Sequence, residues 1–327
     1  VIVILPDRLL LAKYGRRLFV HDRENIYAYR PHAERAWGLE AGRGTISINR
    51  YGLRDDDFPL QKPAGELRIL CLGDSVTMGH GVSHEETFCE RLEAMLGRRR
   101  GEGAGGRGID AGVQGYATWQ ELNLLRRLLV LHPDAVILGF CLNDITEPFV
   151  SDKSLGGTGV GYQGFPVTAN PVVGYFWSDT GYGRLVQSVL SRKQRVAAAK
   201  REETFSVARL SRADRDDSVY GPAWDKTLSD LKQIYSLTGK HGVSTVLVIF
   251  PYKFQILDRE WRRPQAILAE HAKEAGIAVL DLLQAFDEAA ETSRNAGGDL
   301  DRYFLDENHL SPDGHLLVAS ALYKYFL

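Results

Sequence analysis

The residue types that together make a hydroxyl nucleophilic stand at two places in this chain. Ser75 closes the tripeptide Gly73-Asp74-Ser75, and near the other end Asp306-Glu-Asn-His309 puts a carboxylate and an imidazole on one short stretch. A serine attacks poorly until a base takes its proton. Histidine has the right pKa for that task, and a carboxylate fixes its tautomer and balances the imidazolium. Acyl transfer also builds charge on an oxygen, which needs prearranged donors. Gly115 in Asp110-Ala-Gly-Val-Gln-Gly115 offers a backbone N–H, Asn143 in Cys141-Leu-Asn-Asp144 offers a side-chain amide, and Ser75 offers its own N–H.

Taken singly, each signal has a plainer reading. Ser75 alone reads as a turn serine capping the next helix. His309 alone is a surface-loop histidine, and Asn143 alone is a cap or loop residue. The tripeptide is not the Gly-x-Ser-x-Gly elbow, because residue 77 is threonine, nor a P-loop, because no lysine follows Gly79. The elements that must carry these residues give the stronger argument. Ile69 to Leu72 is a short apolar strand that breaks at Gly73, and a helical pattern from about Glu85 places Phe88, Leu92 and Met95/Leu96 on one face. A strand at Gly108–Gly112, an amphipathic helix from Thr118 to about His132 and the apolar strand Asp134–Phe140 follow. Later strands are expected at Val243–Phe250 and Ile277–Asp281, with helices at about 223–240 and 259–275. A last helix runs from Ser311 or Pro312 to the end. Continuous apolar strands indicate a parallel sheet covered on both faces, and the alternation implies a three-layer α/β/α domain. Ser75, Gly115 and Asn143 each follow a strand, at the carboxyl edge where open α/β sheets keep their chemistry.

Four such signals in this order resemble the SGNH hydrolases, the GDSL-type esterase/lipase superfamily. The family's blocks carry a nucleophilic Ser, an oxyanion Gly, an oxyanion Asn and an Asp-x-x-His pair, which map to Ser75, Gly115, Asn143, and Asp306 with His309. The resemblance implies a flavodoxin-like fold of about five parallel strands. It also implies an ester hydrolase with Ser75, His309 and Asp306 as triad, Ser75, Gly115 and Asn143 as oxyanion hole, and no cofactor or metal. Two positions depart from the pattern. Asp110 stands where the second block opens with Asn, and Cys141 replaces the glycine of Gly-x-Asn-Asp. Neither is a donor, so a small change of pocket shape is expected.

Residues 1–66 read as an N-terminal extension that packs on the core, and residues 67–327 as the hydrolase domain. Within the extension, Leu9 to Leu11 suggest a short helix, Tyr27, Tyr29 and Trp37 extended chain, Thr45–Asn49 a strand and Tyr51–Arg54 a turn. Asn49-Arg-Tyr-Gly-Leu-Arg54 also looks like a subset of bacterial members that carry an anchor and face outside the cytoplasm. That similarity, with the apolar start Val-Ile-Val-Ile-Leu, implies an extracytoplasmic location and a possible membrane anchor upstream. An insertion at 145–222 is rich in glycine and aromatics, carries a helix at Arg184–Arg201 and an exposed charged run at Ser211–Ser218, and reads as a lid or a disordered excursion.

The net charge of −2 gives no reason to expect nucleic acid. Cys71, Cys89 and Cys141 read as buried thiols, an odd count matching neither a disulfide framework nor a zinc site. Gly101–Gly106 matches Gly-x-Gly-x-x-Gly but follows a helix and precedes a strand, the reverse of a dinucleotide site. Asp55-Asp-Asp57 reads as an exposed turn, and His84-Glu-Glu lacks a second histidine at metal spacing. The expected substrate is a small ester or an acylated glycan. Two alternatives stay open: an O-acetyltransferase with the same triad, and a non-catalytic carbohydrate-binding module on the same fold.

Overall fold

The computed structural model describes residues 18–36, 45–100, 106–146, 175–176, 180–182, 207–213, 215–295 and 299–326. Five strands form one parallel sheet: β5 (Leu67–Gly73), β6 (Gly106–Gly112), β7 (Ala135–Phe140), β8 (Ser244–Ile249) and β9 (Ala278–Asp281). Their order across the sheet is β6-β5-β7-β8-β9. The first core strand thus lies between the second and third, and the chain winds outward from it in both directions. Such a switch point leaves a crevice beyond the carboxyl ends of the strands. Every residue of β7 is buried, as its unbroken apolar run requires.

The helices that cover the sheet are α1 (Ser75–Met78), α2 (Phe88–Arg100), α3 (Thr118–Leu128), α4 (Asn143–Thr146), α5 (Val207–Leu210), α6 (Gly221–Lys240), α7 (Lys253–Leu257), α8 (Arg263–Glu274), α9 (Leu283–Asn295) and α10 (Pro312–Tyr325). α2 and α10 match the expected spans closely, while α3 ends at Leu128 and tightens into a 3₁₀ turn before Pro133. The expected helix 259–275 is a 3₁₀ turn at Arg259–Trp261 followed by α8, which has a proline in its first turn. Five helices among the described residues went unforeseen: the short α1, α4, α5 and α7, and the longer α9.

The chain before β5 forms two antiparallel ribbons. β1 (Phe19–Asp22) pairs with β2 (Ile26–Tyr29), and β3 (Glu34–Ala36) pairs with β4 (Thr45–Ser47). Tyr27 and Tyr29 alternate inward along β2 and join the same hydrophobic core as the main sheet. The turn at Tyr51–Arg54 forms around Asn49, whose side-chain oxygen accepts the N–H groups of Tyr51 and Leu53.

Three expectations need correction. Cys71 and Cys89 are joined as a disulfide, leaving only Cys141 as a buried thiol. The start of α2 crosses over the middle of β5, bringing their Cα atoms to 6.4 Å, so the odd count concealed one pair and one remainder. In the run Ser211–Ser218, Ser211 and Ala213 are buried, whereas Arg212, Arg215, Asp216 and Ser218 are exposed. Asp55 is also buried, as described below. The expected helices around Leu9–Leu11 and Arg184–Arg201 and the glycine link before β6 fall outside the described residues, as does most of the insertion 145–222. Among the described residues, no helix is long and apolar enough to cross a membrane.

Candidate active site

β5 ends at Gly73 and the chain turns straight into α1. The turn is tight enough that a Cβ on Gly73 would lie 2.1 Å from the Thr77 hydroxyl and 2.8 Å from the Gly139 carbonyl. Only glycine fits there. Asp74 caps α1, its Oδ1 accepting the Val76 N–H at 2.8 Å. Ser75 opens the helix, and its Oγ lies 2.9 Å from His309 Nε2. On the far side of the ring, His309 Nδ1 lies 2.7 Å from Asp306 Oδ2. A carboxylate can only accept, so Nδ1 carries the proton and Nε2 presents its lone pair to Ser75.

Asp306 holds its own loop together. Its Oδ1 accepts the N–H groups of Asn308 at 3.0 Å and His309 at 2.8 Å. The Leu305 N–H returns to the His309 carbonyl at 2.8 Å, and Ser311 caps α10 through the Gly314 N–H. Partial burial pushes the Asp306 carboxyl up, but hydrogen bonds and the charge of His309 outweigh it and hold the group below the usual carboxylate range.

Asn143 opens α4 just beyond β7, and its Nδ2 donates to Asp74 Oδ2 at 2.9 Å. Asp74 therefore ties the turn before Ser75 to Asn143, a role that its place beside the serine did not reveal in the sequence. Burial pushes the Asp74 carboxyl up, and the Asn143 hydrogen bond opposes this. One Nδ2 proton is used on Asp74 and a second remains.

Gly115 sits at the third position of a β-turn closed by the Tyr116 N–H on the Val113 carbonyl at 3.1 Å. Its φ is +70° while Gln114 stays out of the left-handed region, the pattern of a type II turn, which favours glycine at this place. Gln114 Nε2 lies 2.5 Å from His80 Nδ1, and the His80 ring stands 4.4 Å from that of His309. Burial, then the nearby His309, draws His80 down to about 4, so it is neutral at pH 7. The structure thus brings Ser75, His309 and Asp306 into one hydrogen-bonded line and links Asn143 and the turn of Gly115 to it.

Sequence reasoning gave no role to His80 or Arg54. His80 stands in the stretch after Ser75, on the loop that leaves α1. Arg54, buried, donates from Nη1 to the carbonyls of Met78 (2.5 Å) and Gly79 (2.7 Å) and from Nη2 to Val82 (2.6 Å), bracing that loop. Its only signal was membership of Asn49–Arg54. His315, set aside as a helix residue, is fully buried in α10, where its Nδ1 accepts the Phe88 N–H at 3.2 Å and burial draws it down to about 3. Cys141 is buried too, and burial raises its thiol well above the ordinary value. A buried thiol of this kind is inert.

Among the described residues, ligand atoms of Asp55, His84 and Glu90 lie within 4.8 Å of one another, the one group that could hold a metal ion. Arg107 already bonds Asp55 at 3.1 Å, and the Asp110 N–H donates to the same carboxylate at 3.2 Å. Burial raises Asp55 to about 7, against the pull of Arg107. Burial, with Asp55 and other carboxylates nearby, raises Glu90 to about 8.

The model of the GDSL-like lipase/acylhydrolase family matches residues 71–317. No curated protein matches the chain. Among solved structures, an acetylxylan esterase from Geobacillus stearothermophilus is 15% identical over 79% of this chain and 93% of its own, with a TM-score of 0.46. A second acetyl xylan esterase is 17% identical over 80% of this chain and 100% of its own, at 0.48. A member of the lipolytic G-D-S-L family from Veillonella parvula is 15% identical over 80% and 98%, at 0.45. Similarities of this size leave the choice of ester to the chemistry of the site.

Proposed function

Because the chain belongs to the GDSL-like lipase/acylhydrolase family and is an ester-hydrolysing enzyme, we propose that it cleaves carboxylic esters through Ser75, His309 and Asp306. The observation that carries this reading is the line Ser75 Oγ–His309 Nε2 at 2.9 Å and His309 Nδ1–Asp306 Oδ2 at 2.7 Å. His309 takes the Ser75 proton as Oγ attacks the ester carbonyl. The tetrahedral oxyanion meets the N–H groups of Ser75 and Gly115 and the spare Asn143 proton. Ser75 is the first residue of its helix, so its N–H has no intrahelical partner and is free for this use. His309 then gives its proton to the departing alcohol, leaving an acyl-Ser75. Water, deprotonated by His309, attacks the acyl carbonyl and releases the acid as the proton returns to Ser75. Neutral His80 beside the ring adds no repulsion when His309 becomes imidazolium. No step calls for a cofactor.

The reading extends to location. A Cys71–Cys89 disulfide suits an oxidising compartment outside the cytoplasm. Mass spectrometry of protein recovered without reductant tests this, and two free thiols there would count against it.

The test of function uses p-nitrophenyl esters from acetate to octanoate, with Ser75→Ala and a fluorophosphonate probe alongside. Turnover and labelling that both vanish in the variant are expected, and the chain-length trend separates an acetyl pocket from a lipid one. Full activity in Ser75→Ala overturns the reading. Acyl transfer to an added oligosaccharide that outpaces hydrolysis identifies a transferase using the same residues.

A further inference from the structure

A trans peptide unit points its C=O and N–H in opposite directions. The Gly115 N–H, the oxyanion donor of the proposed mechanism, therefore shares one rigid plane with the Gln114 carbonyl. Whatever holds that carbonyl aims that N–H. The group that holds it is the Tyr27 hydroxyl, which donates to Gln114 O at 2.8 Å from strand β2.

The same plane is the weak point of the turn. Types I and II differ by a half-rotation of their central peptide, here Gln114–Gly115. Glycine at the third position tolerates both, because it meets no Cβ penalty at either sign of φ. A flip to type I would turn the Gly115 N–H away from the position set by φ +70°. The Val113–Tyr116 bond that closes the turn does not prevent it, since both types have that bond.

We propose that Tyr27 is a positioning residue for catalysis. Its hydroxyl locks the Gln114–Gly115 peptide in the orientation that presents the Gly115 N–H to the oxyanion. The proposal rests on the esterase reading above. The surroundings of Tyr27 fit the role. Its side chain is 1% exposed, so water does not compete for the hydroxyl. Its ring packs edge-on against Phe19 and Tyr116, each at 5.3 Å. The Tyr116 hydroxyl donates back to the Tyr27 carbonyl at 2.6 Å, fixing the strand to the far side of the turn. Tyr29, two residues along on the same face, accepts the Gln114 N–H at 3.2 Å. That N–H belongs to the preceding peptide, so Tyr29 steadies the turn without setting the Gly115 plane. A hydrogen bond on the carbonyl also polarises its own peptide and makes the N–H a better donor.

The test compares Tyr27→Phe with Tyr29→Phe on p-nitrophenyl acetate, with rates divided by the number of sites that fluorophosphonate labels at completion. Removing an oxyanion donor outright costs about 100-fold or more in kcat, so misaiming one should cost about tenfold. For Tyr27→Phe the expected result is that loss in kcat with KM within about twofold, and for Tyr29→Phe a loss below about threefold. A merely structural tyrosine would lower the number of labelled sites and leave the rate per site intact. If Tyr27→Phe does not fold, Tyr116→Phe releases the same strand more gently and should lower kcat per site by about threefold. Wild-type rates per site in Tyr27→Phe, or in Tyr116→Phe where that variant stands in, overturn the proposal and leave the esterase reading standing. Absence of both turnover and labelling in the wild type overturns both.

Discussion

The loop that carries Asp306 and His309 is tied mostly to itself, whereas the turns that carry Ser75 and Gly115 draw their main ties from distant chain. Around His309 most bonds run among residues 302–314, from the two N–H groups beyond Asp306 to its carboxylate and from Ser311 to the Arg302 carbonyl, while the Lys253 N–H on the Glu307 carbonyl and Arg91 on the Pro312 carbonyl add ties from elsewhere. Around Ser75 and Gly115, beside the bonds of Asp74 and His80, several come from Tyr27, Tyr29 and Arg54, residues that precede the sheet altogether. The first half is partly open, with the Asp306 side chain 53% exposed. The second is closed, with Arg54 and Tyr27 at 0% and 1%. A base must swing its proton between serine, leaving group and water, and a solvated local loop suits that. An oxyanion hole must not move, and burial against a second ribbon suits that.

Substitutions that separate activity from stability sharpen this contrast. The largest effect is expected for His309→Ala, which removes the one side chain that, among the described residues, lies within hydrogen-bond distance of Ser75 Oγ and is proposed to take its proton. Its kcat should fall by about 10⁴ or more, with the melting temperature little changed. Asp306→Asn keeps an acceptor for the local N–H groups but no longer dictates the tautomer of His309. It should lose about 10²–10⁴ in kcat, again at nearly unchanged stability. A large fall in melting temperature for either variant would break the contrast.

Arg54→Met probes the other half. It leaves three carbonyls facing a buried methionine, and the unmet bonds should cost about 3 kcal/mol, read as a fall of roughly 4–5 °C in melting temperature. The remaining folded enzyme should also be slower, because the loop carrying His80 loses its brace. Stability within about 1 kcal/mol of wild type would show that this half is no more dependent on the ribbons than the His309 loop.

The smallest effect concerns the carboxyls beneath that brace. Glu90, held at about 8 by burial, keeps its proton when folded and loses it near its ordinary value of 4.5 when unfolded. The folded state therefore binds more protons between those values, and its stability declines as pH rises from about 4.5 to about 8. Glu90→Gln removes that decline, so its melting temperature relative to wild type should be higher at pH 8.5 than at pH 5. Thermal melts at the two pH values check the sign, and an equal offset at both would refute it.

This difference between the halves also explains what the sequence made readable. Asp306 and His309 were legible as a pair because local bonds need local spacing. β5, β7 and β8 were legible because burial on both faces writes a continuous apolar run, and β6 and β9 as shorter strand patterns in the same alternation. Ser75, Gly115 and Asn143 could be placed because each follows such a strand. Arg54, Tyr27 and His80 were not, since the contacts that give them meaning span sheet, ribbon and turn. Arg54 meets Val82 across 28 positions and Tyr27 meets Gln114 across 87. Helix α9 was missed although it is amphipathic, and the Cys71–Cys89 pair was missed because a count of three hides a bond that only the crossing of α2 over β5 creates.

That bond encloses more than two sulfurs. The ring it closes, from residue 71 to residue 89, contains the whole stretch from Gly73 through Ser75 and His80 to the start of α2. A protease that cut anywhere inside this ring would sever the backbone without separating the two pieces. Ser75 would stay fastened to both β5 and α2, and the nicked chain would run as a single species until its sulfurs were reduced. At the extracytoplasmic location proposed above, Ser75 would thus sit on a segment that one cut cannot detach.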